Sequence, residues 1–161
     1  MKFKNKALRI ACDGGAASGK SLAAKLVGQK YGLYVLNSGI FYRYASFLII
    51  KHKPKKITSF LKKKFKNINS KNIFKLNLQA QEISKHVVNL AKQKKVRNII
   101  RTFQKKLIKK YPRIVVEGRD TASSIMHKNP RYTVAFYFSC SLDVASYRRW
   151  KDLKKKIPLK E

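Results

Sequence analysis

The fold is decided by residues 14–21, which read Gly14-Gly15-Ala16-Ala17-Ser18-Gly19-Lys20-Ser21. This stretch fits the pattern G-x-x-x-x-G-K-[ST], in which a loop wraps around the phosphates of a nucleotide. An apolar run at residues 7–12 precedes it, and a helical pattern at residues 22–27 follows it. This strand–loop–helix context separates a phosphate-binding loop from a glycine-rich turn that matches by chance.

Each residue type in this loop has a physical role. Glycines allow positive φ and bring backbone N–H groups close to phosphate oxygens. The N-terminus of the following helix adds free donors and partial positive charge. Lys20 can reach the β- and γ-phosphates, and the Ser21 hydroxyl can bind Mg²⁺. The predicted nucleotide-binding residues are Gly14, Gly15, Ala16, Ala17, Ser18, Gly19, Lys20, Ser21 and Leu22.

The composition is typical of one compact domain, except for its charge. The chain has 161 residues, is 44% hydrophobic and carries a formal net charge of +32. Such a charge is found in proteins that bind nucleic acid or membranes, but it also arises when lysine fills solvated positions. Lysine outnumbers arginine here and is spread along the chain, whereas a dedicated nucleic-acid site concentrates arginine and aromatic residues on one face. We therefore expect small-molecule substrates, no specific nucleic acid and no membrane.

Cysteine usage and hydropathy indicate a reduced compartment. Cys12 and Cys140 both lie in apolar runs typical of buried strands, far apart and without metal-ligand spacing. The basic start of the chain is not followed by an apolar segment of signal-peptide length. No stretch approaches the roughly 18 apolar residues of a membrane span. The expected location is the cytoplasm.

Strands and helices alternate along the chain. Four apolar runs are typical of strands, at residues 7–12, 34–36, 113–117 and 132–140. Helical patterns follow the loop as far as Tyr31, with Gly32 as a stop signal, and start again after Asn37 or Ser38. Two further helices are predicted within residues 79–110, with a break at Lys94-Lys95, and a last helix opens at Ser141 and trails into Lys154-Lys155-Lys156.

The stretch Lys51–Asn77 is rich in lysine, and we expect it to be an inserted, mobile and solvated segment with short strands or helices. The alternation around it predicts an α/β fold with a parallel sheet, in which ligands bind at the carboxyl ends of the strands. That rule selects Asp13, Asn37, Ser38, Arg119 and Asp120, together with the residues after Cys140.

Charged residues near these strand ends suggest phosphate chemistry. The sequence Glu117-Gly118-Arg119-Asp120 is either a surface turn or a site in which the planar fork of Arg119 binds a phosphate. Arg148-Arg149 either reaches a transferring phosphoryl group or coats a helix. His52, His86 and His127 show no ligand spacing. Phosphoryl transfer to a phosphate needs positioning and positive charge rather than a nucleophile–base pair.

Several segments together resemble the bacterial cytidylate (CMP/dCMP) kinases, which are P-loop nucleoside monophosphate kinases. The matching pieces keep the order of the family and are residues 10–14 leading into the loop, residues 36–43 (Leu-Asn-Ser-Gly-Ile-Phe-Tyr-Arg), Glu82-Ile83-Ser84, Val96-Arg97 with Gln104, Glu117-Gly118-Arg119-Asp120, and residues 141–150. The resemblance implies a three-layer P-loop fold with an inserted acceptor-binding region at about residues 51–94 and a partial lid at residues 141–161, all within one kinase domain.

The same resemblance implies ATP-dependent conversion of CMP and dCMP to their diphosphates, with Mg²⁺ bound at Ser21, by a monomer. Lys20, Arg119 and Arg149 would be catalytic. The acceptor nucleotide would be held by Ser38, Arg43, Arg97, Arg119 and Asp120. Of these, Arg43 and Arg119 would bind its phosphate, and Arg97 and Asp120 would read the cytosine.

The chain also departs from the family pattern. Gly15 stands where the family usually has proline, Val88 where it has a serine near cytosine, and Ala145 where it has a basic lid residue. Family members continue with a lid segment, a strand and a helix after the region that ends at Glu161, so we expect the last strand and helix to be missing. Two alternatives stay open: a catalytically impaired nucleotide-binding remnant, and a basic nucleic-acid-binding protein.

Overall fold

The structure is a computed structural model that describes residues 6–66, 68, 70–73 and 76–152. The chain forms two compact units. Unit 1 comprises the residues up to Leu36 and those from Pro112 onwards, and unit 2 comprises Asn37–Tyr111. Among the described residues, every helix is too short or too polar to cross a lipid bilayer.

The elements follow the predicted alternation. In chain order the strands are β1 (Leu8–Gly14), β2 (Tyr34–Asn37), β3 (Arg113–Gly118) and β4 (Val134–Phe138). The helices are α1 (Lys20–Tyr31), α2 (Gly39–His52), α3 (Ile57–Lys66), α4 (Ser70–Ile73), α5 (Gln81–Leu90), α6 (Lys94–Lys110) and α7 (Leu142–Asp152), and a π-helical turn spans Thr121–Ile125.

A parallel sheet with the strand order β2-β3-β1-β4 forms the centre of unit 1. β1 pairs in parallel with β3 on one side and with β4 on the other. Ile10 and the next four residues of β1 are buried, as are Ile114 and the rest of β3 after it. The predicted α/β fold with a parallel sheet flanked by helices is confirmed.

Local signals place the helix ends well. α1 ends at Gly32, whose φ of 60° is the left-handed conformation predicted for this stop, and its N–H bonds to the carbonyl of Gly28. At the start of α2, Ser38 is the N-cap residue but makes no side-chain capping bond. The Asn37 side chain instead accepts a hydrogen bond from the N–H of Ile40, at 3.2 Å. The break between α5 and α6 covers residues 91–93, slightly before Lys94-Lys95.

The prediction of a solvated segment at Lys51–Asn77 is wrong for α3. Ile57, Leu61 and Phe65 recur every four residues and therefore lie on one face of this helix. Leu61 and Phe65 are buried, and α3 packs against α6. The lysines occupy the other faces of α3, which is why the composition suggested a solvated stretch. Residues 67, 69, 74 and 75 of this segment lie outside the described residues.

The predicted strand over residues 132–140 is confirmed at its centre, but the prediction that it is buried is wrong. β4 is shorter, and Phe136 and Tyr137 are 49% and 77% exposed. β4 pairs only with β1, so it is an edge strand of the sheet that the described residues form. Cys140 lies beyond its end and is half-buried. The predicted trailing of the last helix into residues 154–156 lies outside the described residues.

A cluster of aromatic rings lies within the otherwise mainly aliphatic core of unit 2. Phe41 and Phe65 each meet the ring of Phe103 edge to face, with centroids 5.3 and 5.5 Å apart. Tyr44 meets Phe65 in the same way at 6.0 Å. These contacts join α2, α3 and α6, because each of the three helices contributes at least one of the rings.

Close packing of α1 against the sheet leads to a testable prediction at Gly28. A Cβ atom at this position would collide with Cγ2 of Val35 and would lie 3.6 Å from Cγ1 of Val115. We expect Gly28→Ala to lower the free energy of unfolding by about 1–3 kcal/mol because of this overpacking, although alanine is the better helix former by about 1 kcal/mol. Urea unfolding measures the change, with Gln29→Ala on the exposed side of α1 as the control. A Gly28→Ala protein as stable as the control would contradict this packing.

Candidate active site

The loop between β1 and α1 has the backbone geometry of a phosphate site. Gly14 has φ 155°, and a Cβ atom on it would collide with the carbonyl oxygen of Phe138 at the end of β4. Ala17 and Gly19 have φ values of 56° and 91°. Left-handed residues within a turn are the geometry from which anion-binding nests are built. At position 14 only glycine fits, because the carbonyl oxygen of Phe138 in the neighbouring strand β4 lies so close.

The start of α1 is open to an anion. Gly19 is its N-cap residue, no side chain caps it, and its first turn contains no acidic residue. Its first N–H groups are therefore available to an anionic ligand. Gly15, Ala16 and Leu22 are exposed around this end, whereas Ser18 is buried. A Cβ atom at Gly15 would meet no described atom within 4 Å, so packing does not require glycine at this position.

The Lys20 side chain turns back and contacts the phosphate loop. Its Nζ donates a hydrogen bond of 2.7 Å to the carbonyl of Gly15. An ammonium group carries three N–H donors, so two remain for other partners. Lys20 thus closes the ring of the loop and adds positive charge beside the loop amides.

Glu117 lies beside Lys20 and Ser21 at the carboxyl end of β3. It is only 4% exposed and accepts a hydrogen bond from the Ser21 hydroxyl. Burial raises the pKa of Glu117, and the Ser21 hydrogen bond and the charge of Lys20 both oppose that rise. The Ser21 hydroxyl and the Glu117 carboxylate therefore form a pair of hard oxygen ligands next to the loop.

These two oxygens fit Mg²⁺ bound together with phosphate. The described residues contain no cluster of three or more acidic, histidine or cysteine side chains that would hold a metal without a ligand. Mg²⁺ is usually held by one or two carboxylates together with substrate phosphates and water. Ser21 and Glu117 supply that kind of partial coordination.

Asp13 fixes the turn that carries Arg119 and Asp120. Its buried carboxylate accepts hydrogen bonds from the backbone N–H groups of Thr121, at 2.6 Å, and Ala122, at 2.9 Å. Hydrogen bonds to an ionised acceptor are shorter and stronger than neutral ones. Asp120 is half-buried at the start of the π-helical turn, and Arg119 is exposed. The Asp13 hydrogen bonds therefore hold the backbone immediately after these two predicted site residues.

Arg148 of α7 contacts the phosphate loop. Its Nη1 donates to the carbonyl of Ala17 at 3.1 Å and lies 3.7 Å from where a Cβ atom of Gly19 would be. Arg149, the predicted catalytic residue, is exposed on the same helix. Contact with the loop backbone is neither of the two alternatives predicted for the pair, and the choice between those alternatives stays open.

Cys12 is a core side chain rather than a nucleophile. It is 1% exposed, and burial together with the nearby Glu117 and Asp13 carboxylates raises the pKa of its thiol to about 11. The thiol therefore stays protonated at neutral pH. The prediction that Cys12 is a small hydrophobic residue of a buried strand is confirmed.

In unit 2, Ser38 is tied to α6 through Gln104. The Gln104 amide donates to the Ser38 hydroxyl at 2.9 Å and to the Ser38 carbonyl at 3.1 Å. Gln104 is fully buried, and its Oε1 has no hydrogen-bond partner among the described residues. A buried polar atom in that condition costs free energy unless a ligand or water satisfies it.

Two predicted arginines of unit 2 are half-buried. Nη1 of Arg43 donates to the carbonyl of Leu78 at 3.0 Å and to the hydroxyl of Ser84 at 2.9 Å. Nε of Arg97 is buried, and no described atom accepts its hydrogen bond. Arg43 is thus held in place by α5 and the residues before it, while Arg97 offers a donor to a ligand. Val88, on α5, is 59% exposed.

Sequence reasoning missed two roles within this site. The sequence places Glu117 only at the end of a strand, and its contact with Ser21 depends on the alignment of β1 with β3, for which the sequence carries no local signal. Arg148 and Arg149 are adjacent, and only the rotation of α7 decides which of them contacts the loop. Asp13 was selected by the strand-end rule, but its two backbone partners were not predicted.

The buried carboxylate of Glu117 leads to a prediction about pH. Because its pKa is raised in the folded protein, its contribution to stability is full below the ordinary value of 4.5 and is lost as the pH rises through the raised value. We expect Glu117→Gln to be at least as stable as the parent protein at pH 7, with the difference shrinking as the pH falls towards 4.5. Melting temperatures across pH 4–8 measure this, and Glu82→Gln at an exposed carboxylate is the control. A Glu117→Gln protein that melts well below the parent at pH 7 would contradict the assigned cost of burial.

Comparison with known proteins supports the same interpretation. A sequence model of the family described as cytidylate kinase matches residues 10–160. The cytidylate kinase of Clostridium botulinum strain Hall is 30% identical over 161 positions, covering 92% of this chain and 72% of the relative. The cytidylate kinase of Aquifex aeolicus is 29% identical over 91% of this chain and 70% of its own length.

A third relative contains this family as part of a larger protein. The bifunctional pantoate ligase/cytidylate kinase of Prochlorococcus marinus is 33% identical over 91% of this chain and 31% of its own length. The family match covers most of the chain, from the middle of β1 through the phosphate loop to the region after α7. The chain therefore belongs to the cytidylate kinase family.

Proposed function

We propose that this chain transfers a phosphoryl group from ATP to CMP and dCMP, giving ADP and CDP or dCDP. The observation that carries the proposal is the phosphate loop with Lys20, Ser21 and the buried Glu117 at one end of the sheet of unit 1. The chain's relatives are cytidylate kinases. The reaction needs an anion cradle with a fixed positive charge, and the β1–α1 junction supplies both.

ATP would bind at the loop through backbone donors. The N–H groups of residues 14–19 and of the first turn of α1 would surround its β- and γ-phosphates. Lys20 would move one donor from the Gly15 carbonyl to the phosphates, and Arg148 would hold the loop through the carbonyl of Ala17. Leu22, exposed at the start of α1, completes the predicted contact set.

Ser21 and Glu117 would hold Mg²⁺ at this site. When bound there, the ion would neutralise developing negative charge on the phosphates. The hydrogen bond between Ser21 and Glu117 fixes the orientation of both oxygen ligands before the ion binds.

The acceptor would be held by arginines and by polar groups already in position. We assign the acceptor phosphate to Arg43 and Arg119, the cytosine to Arg97 and Asp120, and a further contact to Ser38. Two observations support these roles. Arg43 is fixed by Ser84 and the Leu78 carbonyl, and Arg97 carries a buried donor that a ligand would satisfy. We place the acceptor-binding region at about residues 51–94.

The chemistry requires no general base. An oxygen of the acceptor's phosphate attacks the γ-phosphorus of ATP, the bond from that phosphorus to the β–γ bridging oxygen breaks, and ADP leaves. The attacking oxygen is already ionised near neutral pH, because the second ionisation of a phosphate monoester lies near pH 6. Lys20, Arg119 and Arg149 would stabilise the charge on the transferring group. Every assigned residue comes from one chain, so we propose that the monomer is active.

A nucleotide panel tests the proposal directly. ADP formation is measured with CMP, dCMP, UMP and AMP as acceptors, and we expect CMP and dCMP to be the best substrates. Lys20→Ala should lower kcat/KM by at least about 100-fold, because it removes a preorganised charge at the transition state. Lys25→Ala, an exposed lysine later in α1, is the control. Absence of CMP-dependent turnover, or a preference for AMP, would overturn the assignment.

The neighbouring arginines of α7 should differ in kinetic effect. Arg149→Ala should lower kcat by about 100-fold, because it removes charge from the transition state. Arg148→Ala should mainly raise the KM for ATP, by about tenfold, because it releases the carbonyl of Ala17. Steady-state kinetics with varied ATP separate the two effects. If Arg148→Ala has the larger effect on kcat, the two roles are reversed.

A further inference from the structure

A cavity between α3 and α6 is lined by residues that have no individual role in the proposed reaction. Its volume is about 630 Å³. Its rim carries four lysines, two from each helix, and its floor contains two phenylalanines; these residues are Lys62, Lys66, Lys95, Lys106, Phe65 and Phe103. Pockets of roughly 300–1,000 Å³ are typical binding sites for small molecules.

This cavity is separate from the acceptor residues of unit 2. At about 3.6 residues per turn, Lys95, Thr102 and Lys106 lie on one face of α6. Arg97 and Gln104 lie on the opposite face of the same helix. None of the individual residues assigned above to ATP or to the acceptor lines the cavity, although its α3 residues fall within the wider acceptor-binding region at about residues 51–94.

The rim carries strong and uncompensated positive charge. None of the residues lining the cavity has a carboxylate group. In the sequence, Glu82 is the only acidic residue from Asn37 to Tyr111. Charges of one sign around a concave site focus the potential and concentrate a ligand of opposite charge. The cavity therefore suits a ligand with several negative charges.

Charge alone does not distinguish this place, because lysine coats much of the chain. Its particular feature is the apolar floor that the lysines enclose. Phe103 and Ile99 are half-buried and line the cavity, and Asn98 and Thr102 add neutral hydrogen-bonding groups. Stacking of a base on an aromatic side chain contributes about 1–3 kcal/mol. A simple inorganic anion would leave this floor unused.

We propose that the α3–α6 cavity binds a free nucleoside polyphosphate, with its base on the Phe103 side and its phosphates among the four lysines. It is a second nucleotide site, independent of the phosphate loop. Its size favours a single nucleotide over an extended nucleic-acid strand, which would be bound along an open groove. Lysine is a suitable point-charge partner for phosphate on such a rim.

Calorimetric titration of the full chain with MgATP tests the proposal. We expect the parent protein to show two ATP-binding sites. In Lys95→Ala/Lys106→Ala the affinity of the cavity site should fall by about tenfold for each lysine removed, so that only the phosphate-loop site is detected. The matched control is Lys94→Ala/Lys105→Ala, which removes the same charge from neighbouring positions of α6 outside the cavity lining. This control should keep both sites.

Two further measurements separate the cavity from general charge. Thr102→Trp fills the cavity without changing the charge and should abolish the second site, while CMP-dependent turnover stays unchanged. Inorganic tripolyphosphate should bind the cavity about tenfold more weakly than ATP, because it has no base to stack. Melting temperatures confirm that each variant is folded.

Several results would overturn the proposal. A single ATP-binding site in the parent protein would do so. So would an equal loss of ATP affinity in the two double-lysine variants, if Thr102→Trp also left ATP binding unchanged. Tripolyphosphate binding as tightly as ATP would remove the base site. A 12-nucleotide RNA whose binding depends on the cavity lysines, while ATP binding does not, would assign the surface to nucleic acid instead.

Discussion

The parallel register between β1 and β3 governs how the phosphate site is assembled. It pairs Cys12 with Glu117 and Asp13 with Gly118, so both strands end at the same level. From that level the chain turns into the phosphate loop on one strand and into the Arg119-Asp120 turn on the other. Asp13 then reaches across to the backbone of the second turn, and Glu117 reaches the Ser21 side chain at the start of α1. A shift of one residue would turn every one of these side chains to the opposite face.

The burial of Glu117 lowers the stability of the fold at the position where the proposed function needs a carboxylate. A carboxylate as buried as Glu117 loses hydration, and one hydroxyl contact and one nearby ammonium only partly offset that loss. Asp13 is equally buried, but two backbone N–H groups satisfy it. This difference in hydrogen bonding is consistent with a structural role for Asp13 and with the proposed metal-binding role for Glu117.

Much of the fold could be predicted from the sequence because its signals are local. The phosphate loop fixes the backbone between β1 and α1, Gly32 ends α1, and β3 is a continuous apolar run, so each prediction was correct within about two residues. The errors concern burial, which depends on distant parts of the chain. Leu61 and Phe65 have the spacing of one helix face, but the many lysines around them led to the prediction of a solvated segment. The apolar residues of β4 suggested a buried strand, but burial also requires a neighbour on the far side.

The exposed edge of β4 also bears on how copies of this chain behave together. Within the part of the chain that the structure describes, the outer side of β4 has no neighbouring strand, and its exposed Phe136 and Tyr137 could contact a second molecule. A net charge of +32 on every copy makes such an encounter repulsive. That repulsion reaches about 10 Å at 0.1 M salt but only about 3 Å at 1 M. The positive surface therefore favours solubility at low salt, and this electrostatic protection weakens as the salt concentration rises.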